Sequence, residues 1–168
     1  MISQNMGTMI STFQDLVFVD PKDATLLGSP LGPNSMIDCL HSQINQLRLV
    51  GERLCHLETH DAITILRHSL AIPKLLHILR TSPVFSSPLL VSWDELLLSV
   101  WVRITNIDLR LGDPSWLQAS LPVSSGGLGL RNASHLAPST FLSSADGASA
   151  LVQQLLLPHL QVLQATLP

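Results

Sequence analysis

The cationic side chains of this chain concentrate in one short segment. Five of them, counting histidines, lie between positions 67 and 80: Arg67, His68, Lys74, His77 and Arg80. Asp61 is the only acidic residue nearby, and a strip of this kind could contact a nucleic-acid backbone because each neutralised phosphate needs a cation beside it. Three further arginines could extend the strip: Arg103, Arg110 and Arg131. The alternative is the solvated face of a helix whose other side belongs to the core.

The overall composition argues against strong, independent binding of nucleic acid. The net charge is −3, and nine Lys and Arg residues are few for a protein that grips phosphates. Apolar residues make up 46% of the chain and charged residues 12%, which is the reverse of a disordered composition. With so few charges to cover a surface, we expect an exposed apolar patch that faces a partner or a neighbouring domain.

A metal-ligand pattern occurs around Cys55, His56 and His60, with Cys39 and His41 a few turns earlier. Two histidines four residues apart share a helix face, as zinc ligands can. Two observations oppose a zinc site: an acidic residue is displaced by one position from H-E-x-x-H, and the chain has no C-x-x-C. We interpret the group as polar residues at a helix end, and predict no metal and no cofactor.

Three classes of catalysis find no support in the residue spacing. No G-x-S-x-G occurs, which argues against a serine hydrolase. The sequence from Gly126 to Gly129 matches neither nucleotide-binding glycine pattern, and no lysine follows it. Two-metal polymerase chemistry needs clustered carboxylates, and the only adjacent acidic pair is Asp94-Glu95, inside a predicted helix. The chain is therefore predicted not to be an enzyme.

The hydrophobic periodicity predicts a mainly α fold preceded by short strands. Strands are expected at Leu16–Val19 and Ala24–Leu27, separated by the Asp20-Pro21 turn. A long helix should follow from Asn34, opened by a capping box between Ser35 and Asp38. Its apolar stripe repeats at three- and four-residue steps: Ile37, Leu40, Ile44, Leu47, Val50, Leu54 and Leu57.

The next helix should begin near Thr59 or His60 and be ended, kinked or restarted at Pro73. After a loop, a helix opened by Ser87-Pro88 should carry a second stripe from Leu90 to Ile107 and stop at Gly112 in a left-handed cap. The residues Asp113–Trp116 could open a short helix.

The C-terminal part should contain two helices and a tail. The first is expected from Asn132 or Ser134 to about Ser144, and the second from Gly147 to Leu157, broken at Pro158. No tract reads as a signal peptide or a membrane span. Cys39 and Cys55 lie too far apart on one helix to form a disulfide, which indicates a reducing, intracellular compartment.

Three glycines, Gly126, Gly127 and Gly129, are crowded among apolar residues, and neither helix nor strand periodicity explains them. They belong to the segment from Trp116 to Arg131, W-L-Q-A-S-L-P-V-S-S-G-G-L-G-L-R. We predict a tight structural turn packed under Trp116.

Four stretches, in order, resemble the reverse transcriptases of non-LTR retrotransposons. Ala24–Gly32 is similar to the L-L-G-x-P-L-G element that closes the palm. His60–Thr81 resembles the helical thumb, and Trp116–Arg131 resembles W-x-Q-A-x-L-P…G-G-L-G-[IL]-R. Ala133–Ser144 resembles the helix after that element.

This resemblance implies the C-terminal part of an RNA-directed DNA polymerase, without the palm aspartates. It divides the chain into a palm-end strand and turn (1–33), a thumb-like helical region (34–111), and a glycine-rich turn with C-terminal helices (112–168). The thumb's grip on an RNA/DNA duplex would fall to Arg67, Lys74 and Arg80. The other hypothesis is a helical protein-interaction module, whose stripes at 37–57 and 90–107 bind partner helices or a second copy.

Overall fold

The structure, a computed structural model, describes residues 19–166, and side chains as far as residue 155. The described chain is mainly helical, which confirms the predicted fold class. The predicted strand residues Leu16, Val17 and Phe18 lie outside the described residues, and the neighbouring Val19 is not in a strand.

A small hairpin begins the described part. Strands β1 (Thr25–Leu26) and β2 (Ser29–Pro30) pair antiparallel around a two-residue turn at Leu27 and Gly28. The strand predicted at Ala24–Leu27 is thus shorter than expected, and β2 was missed because its proline weighed against any strand. Proline is tolerated there because this strand pairs on one side only. Ser82 holds the hairpin against the helices by donating to the Pro30 carbonyl oxygen over 2.6 Å.

Helix α1 spans Pro33–Leu54 and carries the predicted stripe, with Leu40, Ile44 and Leu47 buried. The predicted capping box is wrong. The helix starts at Pro33, so Ser35 lies inside the first turn, where its hydroxyl accepts the Gly32 N–H at 3.1 Å. Asp38 takes no part in this cap. The stripe is also shorter than predicted, since Ile37 and Leu57 are exposed.

Helix α4 spans Leu89–Thr105 and ends earlier than predicted. Asn106 adopts the left-handed conformation, with φ 54°, and its N–H bonds to the Val102 carbonyl. Asparagine tolerates that conformation better than most residues, so it ends the helix well before Gly112. Ile107, predicted to belong to the stripe, is therefore exposed.

Part of the core lies between α1 and α4, whose apolar faces contact each other. Its α4 members are Leu90, Trp93, Leu97, Leu98, Val100, Trp101 and Ile104. The two stripes proposed to bind partner helices are thus largely buried inside the molecule.

Helices α2 (Thr59–Ile65) and α3 (Ile72–Thr81) are joined by a π-helical turn at Leu66–Leu70. The Ala71 N–H reaches back to the Leu66 carbonyl oxygen at 2.8 Å, which closes that turn. Pro73 lies in the first turn of α3, which confirms that the proline restarts the helix.

Within Thr59–Thr81, an 18-residue stretch has a mean hydropathy of 1.3, so by length and composition alone this segment could cross a membrane. A core helix of a soluble protein meets the same criterion, so this finding is weak evidence for a span. The segment also contributes to the core through Leu66, Leu75 and Leu79. The absence of a membrane partner stays a prediction.

Helix α5 spans Pro114–Ser120, as the Asp113-Pro114 start indicated. Helix α6 runs without interruption from Ala133 to Thr166, so the breaks predicted between Ser144 and Gly147 and at Pro158 are both wrong. A glycine inside a helix costs only about 1 kcal/mol relative to alanine, and Gly147 lies among the helix-forming Ala145, Ala148 and Ala150. The N-terminal half of α6 packs on α3 and α4.

Candidate nucleic-acid interface

A cleft of about 360 Å³ brings two distant arginines to one place. Arg67 and His68 enter it from the π-helical turn, and Arg131 enters it from the segment before α6. The rest of its wall is largely apolar or backbone: Ala71, Ile72, Pro73, Pro122, Val123 and Gly129. None of the described residues that line it is acidic, so the cleft presents positive charge to solvent.

One wall of the cleft is formed by the glycine-rich turn, and Trp116 anchors that turn to the core. The Trp116 side chain is 0% exposed, and its indole N–H donates to the Asn132 side-chain oxygen at 3.1 Å. Two backbone N–H groups of the turn, from Leu128 and Leu130, bond to the Ala119 carbonyl oxygen at 3.0 and 3.3 Å. The turn is therefore folded back on α5.

Each of the three predicted glycines has a physical reason to be glycine. Gly126 and Gly129 have φ values of 79° and 75°, a region that disfavours other residues. A side chain on Gly127 would place its Cβ 2.1 Å from the Leu121 carbonyl oxygen, where no atom fits. At Gly129 a Cβ would lie 3.3 Å from Arg67 Cδ, so this glycine also lets the Arg67 stem lie against the turn.

Asp94 fixes the end of the segment that carries Arg131. This buried carboxylate on α4 accepts the Ala133 N–H at 2.7 Å and the Ser134 N–H at 3.0 Å. It also accepts the Ser134 hydroxyl. Helix α6 thus receives its N-terminal cap from another helix, at the end where a negative charge is favoured. In the sequence, Asp94 stands out only as half of an acidic pair. Its capping role was not predicted, because no local sequence pattern indicates a cap supplied by so distant a residue.

A second cleft, of about 450 Å³, adjoins the first at Pro73. Its other lining residues are Leu76, His77, Arg80, Thr81 and Ser144, so it lies between α3 and α6. We call the two clefts together the α3 groove. It leads from Arg67 and Arg131 at one end to His77 and Arg80 at the other, and none of its described lining residues is acidic.

Only some of the predicted contact residues line the α3 groove. Arg67 and Arg80 line the α3 groove, whereas Lys74 is exposed and lines neither cleft. Of the three arginines expected to extend the strip, Arg131 does so. Arg103 and Arg110 line neither cleft, and Arg110 lies 3.8 Å from Asp108 in an exposed ion pair.

The structure does not bring the candidate metal ligands close to one another. Among the residues that the structure describes, no three His, Cys, Asp or Glu side chains lie close enough together to hold an ion. Cys39 and Cys55 are both free thiols. Burial raises the pKa of the Cys39 thiol, which makes this cysteine a poorer nucleophile.

No protein-family model, no curated protein and no solved structure matches the chain.

Proposed function

We propose that the α3 groove contacts the sugar–phosphate backbone of an RNA–DNA duplex, as a thumb-like region of a reverse-transcriptase-type protein. The observation that carries the proposal is the convergence of Arg67 and Arg131 on one cleft with no acidic residue in its described lining. The order of the reverse-transcriptase-like stretches supports the choice of ligand. Arg80 and His77 then serve the next part of the same backbone.

The chemistry of the groove suits phosphate. An arginine guanidinium presents a rigid fork of N–H donors that matches phosphate oxygens, and two such forks face one cleft. The wall between them is backbone and apolar side chains, which offers no carboxylate to compete for the guanidinium groups. Because contacts to phosphate carry no sequence information, binding is expected to be independent of base sequence.

The acidic net charge fits a local, moderate interaction. With a net charge of −3, the molecule as a whole repels a polyanion, so attraction comes from the groove alone. We therefore expect weak binding that disappears quickly as salt rises. Catalysis is outside the proposal, because Asp94 of the only adjacent acidic pair is buried and caps α6.

The test is the salt dependence of binding to a fluorescent RNA–DNA duplex, followed by anisotropy. Each lost phosphate contact should lower the slope of log K against log salt by about 0.9. The double variant Arg67→Gln, Arg131→Gln should therefore lose about 2 from the slope. Lys74→Gln should lose less, because Lys74 lies outside the groove.

The matched control is Arg48→Gln, which removes an equal charge from an exposed position on α1. It should leave the slope unchanged. A slope that falls equally in the control and in the groove variants would show non-specific attraction and contradict the proposal. So would the absence of binding by the unaltered chain at low salt.

A further inference from the structure

The two halves of α6 have different surroundings. Ala133 and Ala137, near its start, are buried. From residue 145 to residue 155 every residue is exposed. Leu151 and Leu155 are 60% and 61% exposed, and Val152 lies beside them. We call residues 147–166 of this helix the α6 extension.

Three apolar residues in the described part of the extension lie together on one face. Leu151 and Leu155 are four residues apart, and Val152 and Leu155 are three apart, so the three side chains are neighbours on the helix surface. An exposed cluster of large aliphatic side chains on a free helix marks an interaction site. It meets the expectation, from the scarcity of charge, that the chain exposes an apolar patch.

The extension is also uncharged. The sequence from Gly147 to Pro168 contains no Asp, Glu, Lys or Arg. Four glutamines are interspersed with its leucines: Gln153, Gln154, Gln161 and Gln164. A strongly charged partner helix would find no opposite charge here, and burying its charges unpaired would be costly. The partner that fits is therefore uncharged and apolar.

We propose that the occupant of this face is the α6 extension of a second copy, paired helix to helix about a two-fold axis. Such an interface must be complementary to itself. Leucine packs on leucine, and a glutamine amide both donates and accepts, so it can bond to another glutamine. No pair of like charges opposes the contact.

The two helices run antiparallel in this dimer. The positive N-terminal end of one helix then lies beside the negative C-terminal end of the other, which favours that arrangement. It also directs the two acidic bodies, each with a net charge of −3, toward opposite ends of the pair. The proposal uses no residue of the α3 groove, so it stands apart from the nucleic-acid proposal.

Sedimentation equilibrium of the full chain tests this pairing. The unaltered protein should approach twice the 18.3 kDa chain mass as its concentration rises. The double variant Leu151→Glu, Leu155→Glu should raise the dissociation constant at least tenfold, since it sets four carboxylates against one another. Both residues are exposed, so the fold of the body should survive, and circular dichroism verifies this.

The matched control is Leu49→Glu, at a 52% exposed leucine on α1. It should dimerise as the unaltered chain does. An unaltered chain that remains monomeric at about 1 mM, the limit of weak association, would overturn the proposal. So would a double variant that dimerises normally.

Sedimentation with neutral phosphatidylcholine vesicles tests the alternative occupant, a lipid surface. If the extension instead covers its apolar face with lipid, the unaltered chain will sediment with the vesicles and the double variant will not. Vesicle binding by a chain that stays monomeric in solution would overturn the pairing in favour of a membrane surface.

Discussion

The start and the extension of α6 are one continuous helix held by different forces. At the start, Asp94 caps the first backbone N–H groups, Asn132 bonds to Trp116, and alanines pack on α3. Along residues 145–155 the side chains are all exposed, and intrahelical hydrogen bonds and helix-forming residues sustain the structure. Tertiary contacts therefore determine where this helix begins, whereas helix propensity is sufficient to continue it through residues 145–155.

The largest loss of stability is expected from removing Trp116, which holds Asn132 just before α6. Trp116→Ala deletes a fully buried indole and its bond to Asn132, and should lower the free energy of unfolding by about 3–5 kcal/mol. Urea unfolding measures this loss. Leu117→Ala, at an exposed neighbour, should change stability by less than about 0.5 kcal/mol. Equal losses in the two variants would show that Trp116 is no anchor.

A smaller effect is expected from Asp94→Ala. The variant leaves the buried Ala133 N–H without an acceptor, which should cost about 1–3 kcal/mol. Because Arg131 lies just before this helix start, the same variant should also weaken duplex binding. Glu95→Ala, which alters the exposed neighbouring carboxylate, serves as the control and should do neither. If Asp94→Ala is as stable as the control, the Asp94 carboxylate does not stabilise the start of α6.

At the glycine-rich turn, Gly126→Ala should destabilise the protein through backbone conformation alone. A Cβ at Gly126 meets no atom within 4 Å, so the penalty comes only from its φ of 79°. The expected loss is about 1–2 kcal/mol, the cost of a left-handed conformation for an ordinary residue. Urea unfolding is again the measurement. A neutral result would mean that the turn changes conformation to accept alanine.

The smallest effect, and the only gain, is expected in the second half. Gly147→Ala should stabilise the helix by about 0.5–1 kcal/mol, because Gly147 is exposed, helical and free of steric contacts. If the extension unfolds apart from the body, the gain will appear as helical signal retained on heating. A loss of helical signal would show that glycine is needed there for a reason other than backbone conformation.

Sequence reasoning succeeded where the signal is local. The periodicity of Leu40, Ile44 and Leu47 identified α1, and Pro73 marked the restart of a helix. It failed where two signals compete over a short distance. Asn106 ended α4 although apolar residues continued beyond it, and Gly147 failed to end α6 although glycine often does so. In each case the difference between outcomes is about 1 kcal/mol, too small for a rule based on residue type to decide.

The candidate site shows the same division. The cationic strip and the glycine turn were visible in the sequence, and the structure brings Arg67 and Gly129 into contact. The sequence could not single out Arg131 from Arg103 and Arg110 as the partner of Arg67, because that choice depends on how α5 and the turn pack beside α3. Lys74 illustrates the converse, since it belongs to the strip in the sequence but lines neither cleft in the structure.

The Asp94 cap has a kinetic consequence. Its carboxylate joins α4 to residues 133 and 134, and the long intervening segment must close before the bond can form. Closing a long segment is entropically costly, so we expect this contact to form after the folding barrier has been crossed. An interaction absent from the transition state governs how fast a protein opens and leaves its folding rate nearly unchanged. The Asp94 contact would then slow unfolding of the native state. Asp94→Ala should fold at the same rate as the unaltered chain and unfold faster.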